Sequence, residues 1–342
     1  MRRLECPRCR NRLFFENSRC LECGAEVAID PVALDVVVLE AGPGRACANR
    51  TGAQGCACNW LAPADGTRTL CVACMLTRTR PDLSPPGAAA RWASVEQDKR
   101  RLLYGLIRLG LDPTGAQGAA PMRFDLLSDP AARAGAEPSV QIGHAEGIVT
   151  LNLEEADPAY RERTRSAMDE PYRTVLGHLR HESGHFFWPR LIARDPSRLA
   201  AYRELFGDER ADYGAALRRH HEAGPPADWH QHYISAYASS HPWEDWAETF
   251  AHLLHLLDTL ESAAALAVIG PAEDPYEESD GARLVERFAP VGAAINELNR
   301  AMGFADAYPF VSLAPATAKL AFILDIVQRD RSTDATTFEP AP

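Results

Sequence analysis

The sequence predicts an α+β protein in which a small cysteine-rich amino-terminal region precedes a mainly helical domain carrying a small sheet. Three observations predict it. All nine cysteines lie within the first 74 residues, several in pairs separated by two residues. Short apolar runs bounded by Gly, Ser and Pro follow between Met122 and Leu153. Beyond them apolar residues recur at helical spacing, and one such stretch carries His181-Glu182-Ser183-Gly184-His185.

Cys6-Pro7-Arg8-Cys9 and Cys20-Leu21-Glu22-Cys23 are two tight knuckles, each able to give a pair of thiolates to one tetrahedral zinc. Leu13-Phe14-Phe15 with the turn-forming Asn17-Ser18 reads as a hairpin between them, as in a zinc ribbon. A second structural zinc is expected from Cys47, Cys56, Cys58, Cys71 and Cys74, five candidates for four places. Four protein ligands leave no position for chemistry, so neither site is catalytic. A segment this small has little core, and metal binding supplies most of what folds it.

Residues 77–94 are proline-rich and polar and read as a connector. The expected division is a zinc-ribbon region at 1–83, a linker at 84–94, a second domain at 95–330 and a tail at 331–342. Leu102, Leu103, Leu106, Ile107 and Leu109 predict an amphipathic helix over Val95 to Leu111, ended by Gly110 and Asp112-Pro113. Met122–Leu127 reads as a strand; Ser139–Gly143 and Gly147–Leu153 read as a hairpin turning at His144-Ala145-Glu146, with His144 a polar turn residue.

In the His-Glu-x-x-His stretch, a helix of about 3.6 residues per turn puts His181 and His185 on one face, where both rings can reach one metal ion. Glu182 then points beside that metal, the position of a base that takes a proton from an activated water. Glu170-Pro171 is read as the opening of this helix and Pro189 as its end. A catalytic zinc takes three protein ligands and keeps a fourth position open, so one more ligand is needed. Glu244, near the start of a helix predicted over Ser239 to Thr259, is the preferred candidate. Glu248 shares its face and can hydrogen-bond a ligand imidazole. Glu209 and Asp212 form the rival pair. His230, His232 and His241 read as loop histidines. Amphipathic helices at Arg283–Met302 and Pro315–Gln328 lead to the tail.

With 46% hydrophobic residues the chain can bury a sizeable core, and a net charge of -11 argues against nucleic acid as a ligand. The first residues lack the apolar run of a secretory signal, and no segment reaches the length of a membrane span. Paired cysteines then read as zinc ligands in a reducing compartment, and a cytoplasmic location is expected.

The sequence resembles a bacterial family of zinc-binding metallopeptidases with an amino-terminal zinc-ribbon domain. The resemblance runs from the Cys6-Cys9 knuckle to about Leu260. Its residues include Arg45-Ala46-Cys47, Cys58-Asn59-Trp60, Leu70-Cys71-Val72-Ala73-Cys74, His178–His185, Phe206–Tyr213 and His241–Phe250. It implies a zincin-like peptidase domain, a peptide or protein substrate, and Cys47, Cys58, Cys71 and Cys74 as the second ligand set, with Cys56 spare. Tyr237 to Phe250 is similar, more distantly, to the third-ligand segment of lethal-factor-type gluzincins. That likeness implies Glu244 as ligand, Glu248 behind an imidazole, and Tyr237 as the hydroxyl facing a developing oxyanion; Asp245 departs from it, standing where an aromatic residue is expected. One catalytic and two structural zinc ions follow. The alternatives are an adaptor whose ribbons bind a protein partner on a peptidase-like scaffold, and a hydrolase of non-peptide amides.

Overall fold

The computed structural model describes residues 1–39, 45–52, 55–64, 66, 68–115, 119–168, 170, 172–270, 273–310 and 314–333. Its contacts divide the chain into two compact units, Met1–Leu179 and Arg180–Ala335. The α+β class holds, with a zinc-ribbon region followed by mainly helical structure.

The first unit opens with β1 (Leu4–Glu5) and β2 (Arg12–Leu13), antiparallel with Leu4 opposite Leu13. The Cys6–Cys9 knuckle is the loop between them: the Arg10 amide donates to the Cys6 carbonyl at 2.8 Å, with Arg10 at φ 63°. The second knuckle repeats the device with Gly24 at φ 71°, a conformation glycine adopts without steric cost. The hairpin therefore spans the first knuckle. Between the knuckles the expected hairpin is replaced by a turn, in which the Phe14 amide donates to Asn17 Oδ1 at 2.7 Å. Next come β3 (Val27–Asp30) and β4 (Asp35–Val38), paired with each other, then β5 (Arg45–Ala46) paired with β6 (Leu61–Ala62). α1 (Val72–Met75) begins directly after Cys71 and so puts Cys71 and Cys74 on one turn.

The connector holds more structure than its prolines suggest. β7 (Thr77–Thr79) is a strand, and α2 (Ala88–Arg108) begins ahead of the expected Val95, entered through Gly87 at φ 77°. Phe15 of the ribbon meets Trp60 and Tyr104 edge-on, with centroids at 6.3 and 5.5 Å, so α2 completes the ribbon's small apolar core. After β8 (Arg123–Leu127) and α3 (Pro130–Arg133), β9 (Gly143–Ala145) and β10 (Ile148–Asn152) complete a sheet of order β7-β8-β10-β9, in which only β9 runs antiparallel to its neighbour. The hairpin turns at Glu146-Gly147, at φ 51° and 83°, which places His144 in a strand and corrects its expected place in the turn. Ser139 and Val140 are not in a strand because their amides are taken by Asp129 Oδ2, at 2.7 and 3.1 Å. α4 (Pro158–Ala167) follows, capped by Asp157.

The unit boundary falls inside α5 (Val175–Trp188). Its expected opening at Glu170-Pro171 involves Pro171, which lies outside the described residues. The helix starts at Val175 behind Thr174, whose Oγ1 accepts from the Gly177 amide at 2.9 Å. Pro189 does not end the helical path. Lacking an N–H, it shifts the ladder to a π-helical stretch, Pro189–Ala193, and Asp195 then caps α6 (Pro196–Phe206). α7 (Tyr213–Ala223), capped by Asp212, and a 3-10 turn at Tyr237–Ser240 lead to α8 (Pro242–Ala265). α8 is buried nearly all round by residues such as Trp246, Phe250, Leu253, Leu257 and Leu260, and forms the core of this unit. α9 (Gly281–Ala301) and α10 (Thr317–Thr333) pack on it and on each other. The tail expected at 331–342 starts later than that, because α10 continues through Thr333; residues 334–342 lie outside the described residues. No helix among the described residues is long and apolar enough to cross a membrane.

Candidate active site

His181 and His185 stand one turn apart on α5 with their Nε2 atoms 3.1 Å from each other. Glu244, in the first turn of α8, brings Oε2 to 3.0 Å from His181 Nε2 and 3.4 Å from His185 Nε2. Tetrahedral donors held about 2.0–2.1 Å from a zinc ion are about 3.3 Å apart, so these separations are of the size the ion requires. Glu244 Oε2 is buried and receives no hydrogen bond. His181 Nδ1 lies 2.7 Å from Glu248 Oε1; a carboxylate only accepts, so Nδ1 carries a proton, and Nε2 is the ring nitrogen that faces Glu244 and is placed to bind a cation. Two imidazoles and a carboxylate are a donor set that suits zinc.

The charges are arranged to favour a cation there. Burial opposes a charge on His181, but the Glu244 and Glu248 carboxylates outweigh it and hold its pKa well above the usual range. Burial likewise opposes ionisation of Glu248, yet its contact with His181 brings it down to about 2. Glu248 is itself positioned: Ser235 Oγ donates to Oε2 at 2.6 Å, and the Ala238 amide donates to Ser235 Oγ at 3.0 Å. Glu182, beside His181, is buried, and burial pushes its carboxyl upward.

Close crossing of α5 and α8 is what brings Glu244 within reach. Gly184 sits at the crossing: a Cβ there would lie 2.9 Å from Ala247 Cα and 3.2 Å from Phe250 Cβ. Trp246 Nε1 donates to the Gly184 carbonyl at 2.9 Å, and Arg180 ion-pairs with Asp258 and donates to His255 Nδ1 at 2.6 Å. Asp245, the residue after Glu244 on α8, is buried and paired with Lys319 at 2.5 Å; it serves as a buried anchor where the likeness placed an aromatic ring.

Tyr237 is half-buried, its ring 6.0 Å from that of His181. Tyr213 was missing from the sequence-based candidates, yet its hydroxyl donates to Glu244 Oε1 at 2.7 Å. Burial pushes both phenols well above their usual range, so both remain protonated donors. The rivals lie elsewhere. Glu209 is bound by Arg203, and Asp212 accepts from the Ala215 amide at 2.9 Å. His230 and His232 are exposed, while His241 caps α8.

Residues 88–326 match the family described as "Putative zinc-binding metallo-peptidase", and residues 3–85 match a zinc-ribbon domain. The chain belongs to that metallo-peptidase family. Uncharacterized proteins of Mycobacterium bovis and of Mycobacterium tuberculosis (strain H37Rv) are each 41% identical to it, covering 100% of this chain and 98% of the relative. No solved structure matches it.

In this member of the metallo-peptidase family the ribbon cysteines gather into two groups, Cys6, Cys9, Cys20 and Cys23, and Cys47, Cys58, Cys71 and Cys74, each with its sulfurs within 4.8 Å of one another. Cys6–Cys23, Cys9–Cys20 and Cys58–Cys71 are 3.7, 3.6 and 3.5 Å apart. The edge of a zinc–thiolate tetrahedron is about 3.8 Å. Cys56 stands outside the second group, 3.9 Å from Cys74, near Glu96. Lys99 Nζ lies 2.8 Å from Glu96 and offsets its charge, and Cys74 already belongs to the second group, so the arrangement disfavours a further cation there.

Proposed function

We propose that this chain is a zinc-dependent metallopeptidase of the gluzincin type that hydrolyses peptide bonds in a peptide or protein substrate, with zinc on His181, His185 and Glu244. One observation carries the reading: three donor atoms converge on a point, and Glu244 Oε2, among them, is buried without a hydrogen-bond donor. When bound, zinc supplies Lewis acidity, lowering the pKa of water and polarising a carbonyl oxygen.

Glu182 is the general base. Its carboxylate accepts a proton from the attacking water and delivers it to the departing amine nitrogen as the carbon–nitrogen bond breaks. Its burial favours the protonated form that this transfer passes through. Tyr237 donates its hydroxyl hydrogen to the oxyanion forming at the scissile carbonyl, a contribution of roughly 3–4 kcal/mol for a preorganised donor. Glu248 keeps the His181 proton on Nδ1 and so leaves Nε2 available as a donor. Cys6, Cys9, Cys20, Cys23 and Cys47, Cys58, Cys71, Cys74 hold two structural zinc ions, which brace the ribbon and give it a surface for a protein partner. That none of the nine cysteines forms a disulfide supports a reducing, cytoplasmic setting.

The experiment is a comparison of wild-type protein with Glu182→Gln on an unfolded protein substrate, with zinc content measured on both. The variant is expected to keep its zinc and to lose cleavage by about 10²-fold or more. Cleavage at the wild-type rate rejects Glu182 as the base.

A further inference from the structure

We infer that Tyr213 is a positioning residue of the metal centre: its hydroxyl holds one oxygen of Glu244, so that the other oxygen alone faces the two imidazoles and a coordination place stays open. The inference rests on the metallopeptidase reading above.

The two oxygens of Glu244 are treated differently. Oε1 accepts from Tyr213 Oη at 2.7 Å, whereas Oε2 has no donor and lies 3.0 and 3.4 Å from the His181 and His185 Nε2 atoms. A carboxylate free on both sides can bind a cation through both oxygens, which would add a fourth protein donor where a catalytic site needs three and an opening. A hydrogen bond to Oε1 opposes that rotation.

The placement of Tyr213 is built and not incidental. His241 Nδ1 accepts from the Trp243 amide at 3.1 Å and caps the helix that carries Glu244. That leaves the ring proton on Nε2, which donates to the Ala211 carbonyl at 3.1 Å, two residues ahead of Tyr213. One imidazole thus ties the start of α7 to the start of α8. The Tyr213 ring lies edge-on to His241 and Trp243, at 5.2 and 6.2 Å, and Asp212 caps α7 through the Ala215 amide. With 39% of its surface exposed, Tyr213 can lose its hydroxyl without opening a core cavity.

The test uses the full chain with its ribbons zinc-loaded and the catalytic metal removed by a weak chelator, then titrated with Co2+. In Tyr213→Phe the Co2+ affinity is expected to weaken by about 10-fold or more, as the loss of a ligand's outer hydrogen bond does. The visible d–d band should lose intensity as the ion gains a ligand oxygen, while the unfolding midpoint stays at the wild-type value. Turnover of a peptide substrate should fall in kcat with little change in KM. A variant with affinity within about 2-fold of wild type and an unchanged spectrum overturns the role of Tyr213 alone. If wild-type protein takes up no Co2+ that depends on His181, both this inference and the metallopeptidase reading fall.

Discussion

Replacing Gly184 by alanine adds a single methyl group at the place where the two metal-bearing helices cross. The added carbon would lie 2.9 Å from Ala247 Cα and 3.3 Å from the Ala247 carbonyl oxygen. Carbon pairs rest at about 3.5–4.0 Å, so α8 must retreat by about 0.6–1.1 Å at that point. Backbone cannot yield as a flexible side chain would. Glu244 lies one turn earlier on α8 and moves with it, while metal–ligand distances tolerate about 0.2 Å. Two opposing effects act on stability: alanine gains about 1 kcal/mol of helix propensity over glycine, and overpacking costs about 1–3 kcal/mol. The two partly cancel and leave about 0–2 kcal/mol of destabilisation, so metal affinity is the cleaner readout. Competition against a chromogenic chelator should give a loss of about 10–100-fold for the catalytic zinc, with ribbon zinc unaffected. Wild-type affinity in Gly184→Ala would refute the steric account of how Glu244 reaches the histidines.

Two further outcomes follow from the same contacts. Glu248→Gln replaces an obligate acceptor behind His181 and should weaken the catalytic zinc by about 10–100-fold in the same competition assay; unchanged affinity removes Glu248 from the account. His252 and His255 are buried and neutral: burial, reinforced by Arg180 and opposed for His252 by Glu248, holds His252 near about 4 and His255 well below its usual range. In the unfolded chain both take a proton near pH 6.5, so the stability present at neutral pH is lost as pH falls through 6.5 toward 4. Between about pH 7.5 and about pH 5.5 this costs about 1.4 kcal/mol for His252 alone. The acid-induced drop in urea unfolding free energy should shrink by that amount in His252→Leu, and an equal drop in both proteins contradicts it.

Much of the site was legible wherever one turn of backbone does the positioning. His181 and His185 share a face by spacing alone, the paired cysteines curl into knuckles, and Glu244 and Glu248 share a helix face just behind Pro242. Residues that arrive from other elements carry no such mark. Tyr213 and Ser235 reach Glu244 and Glu248 from outside α8, and no periodicity connects them to the metal. Gly184 reads as an unspecified position of the motif until α8 is seen lying against it. The prolines of the connector hid β7, because a short strand completed by β8 needs a partner more than it needs propensity. Pro189 read as a stop, yet the chain absorbs the missing amide in a π turn and keeps going. The pairing of Asp245 with Lys319 joins residues 74 apart, a distance at which sequence pattern is silent.

Zinc counting on purified protein tests the central claim most directly. Wild-type chain should carry three zinc ions and His181→Ala two, the ribbon ions surviving because all eight of their ligands lie in the first unit. Two zinc ions in both proteins would contradict a metal held between His181, His185 and Glu244.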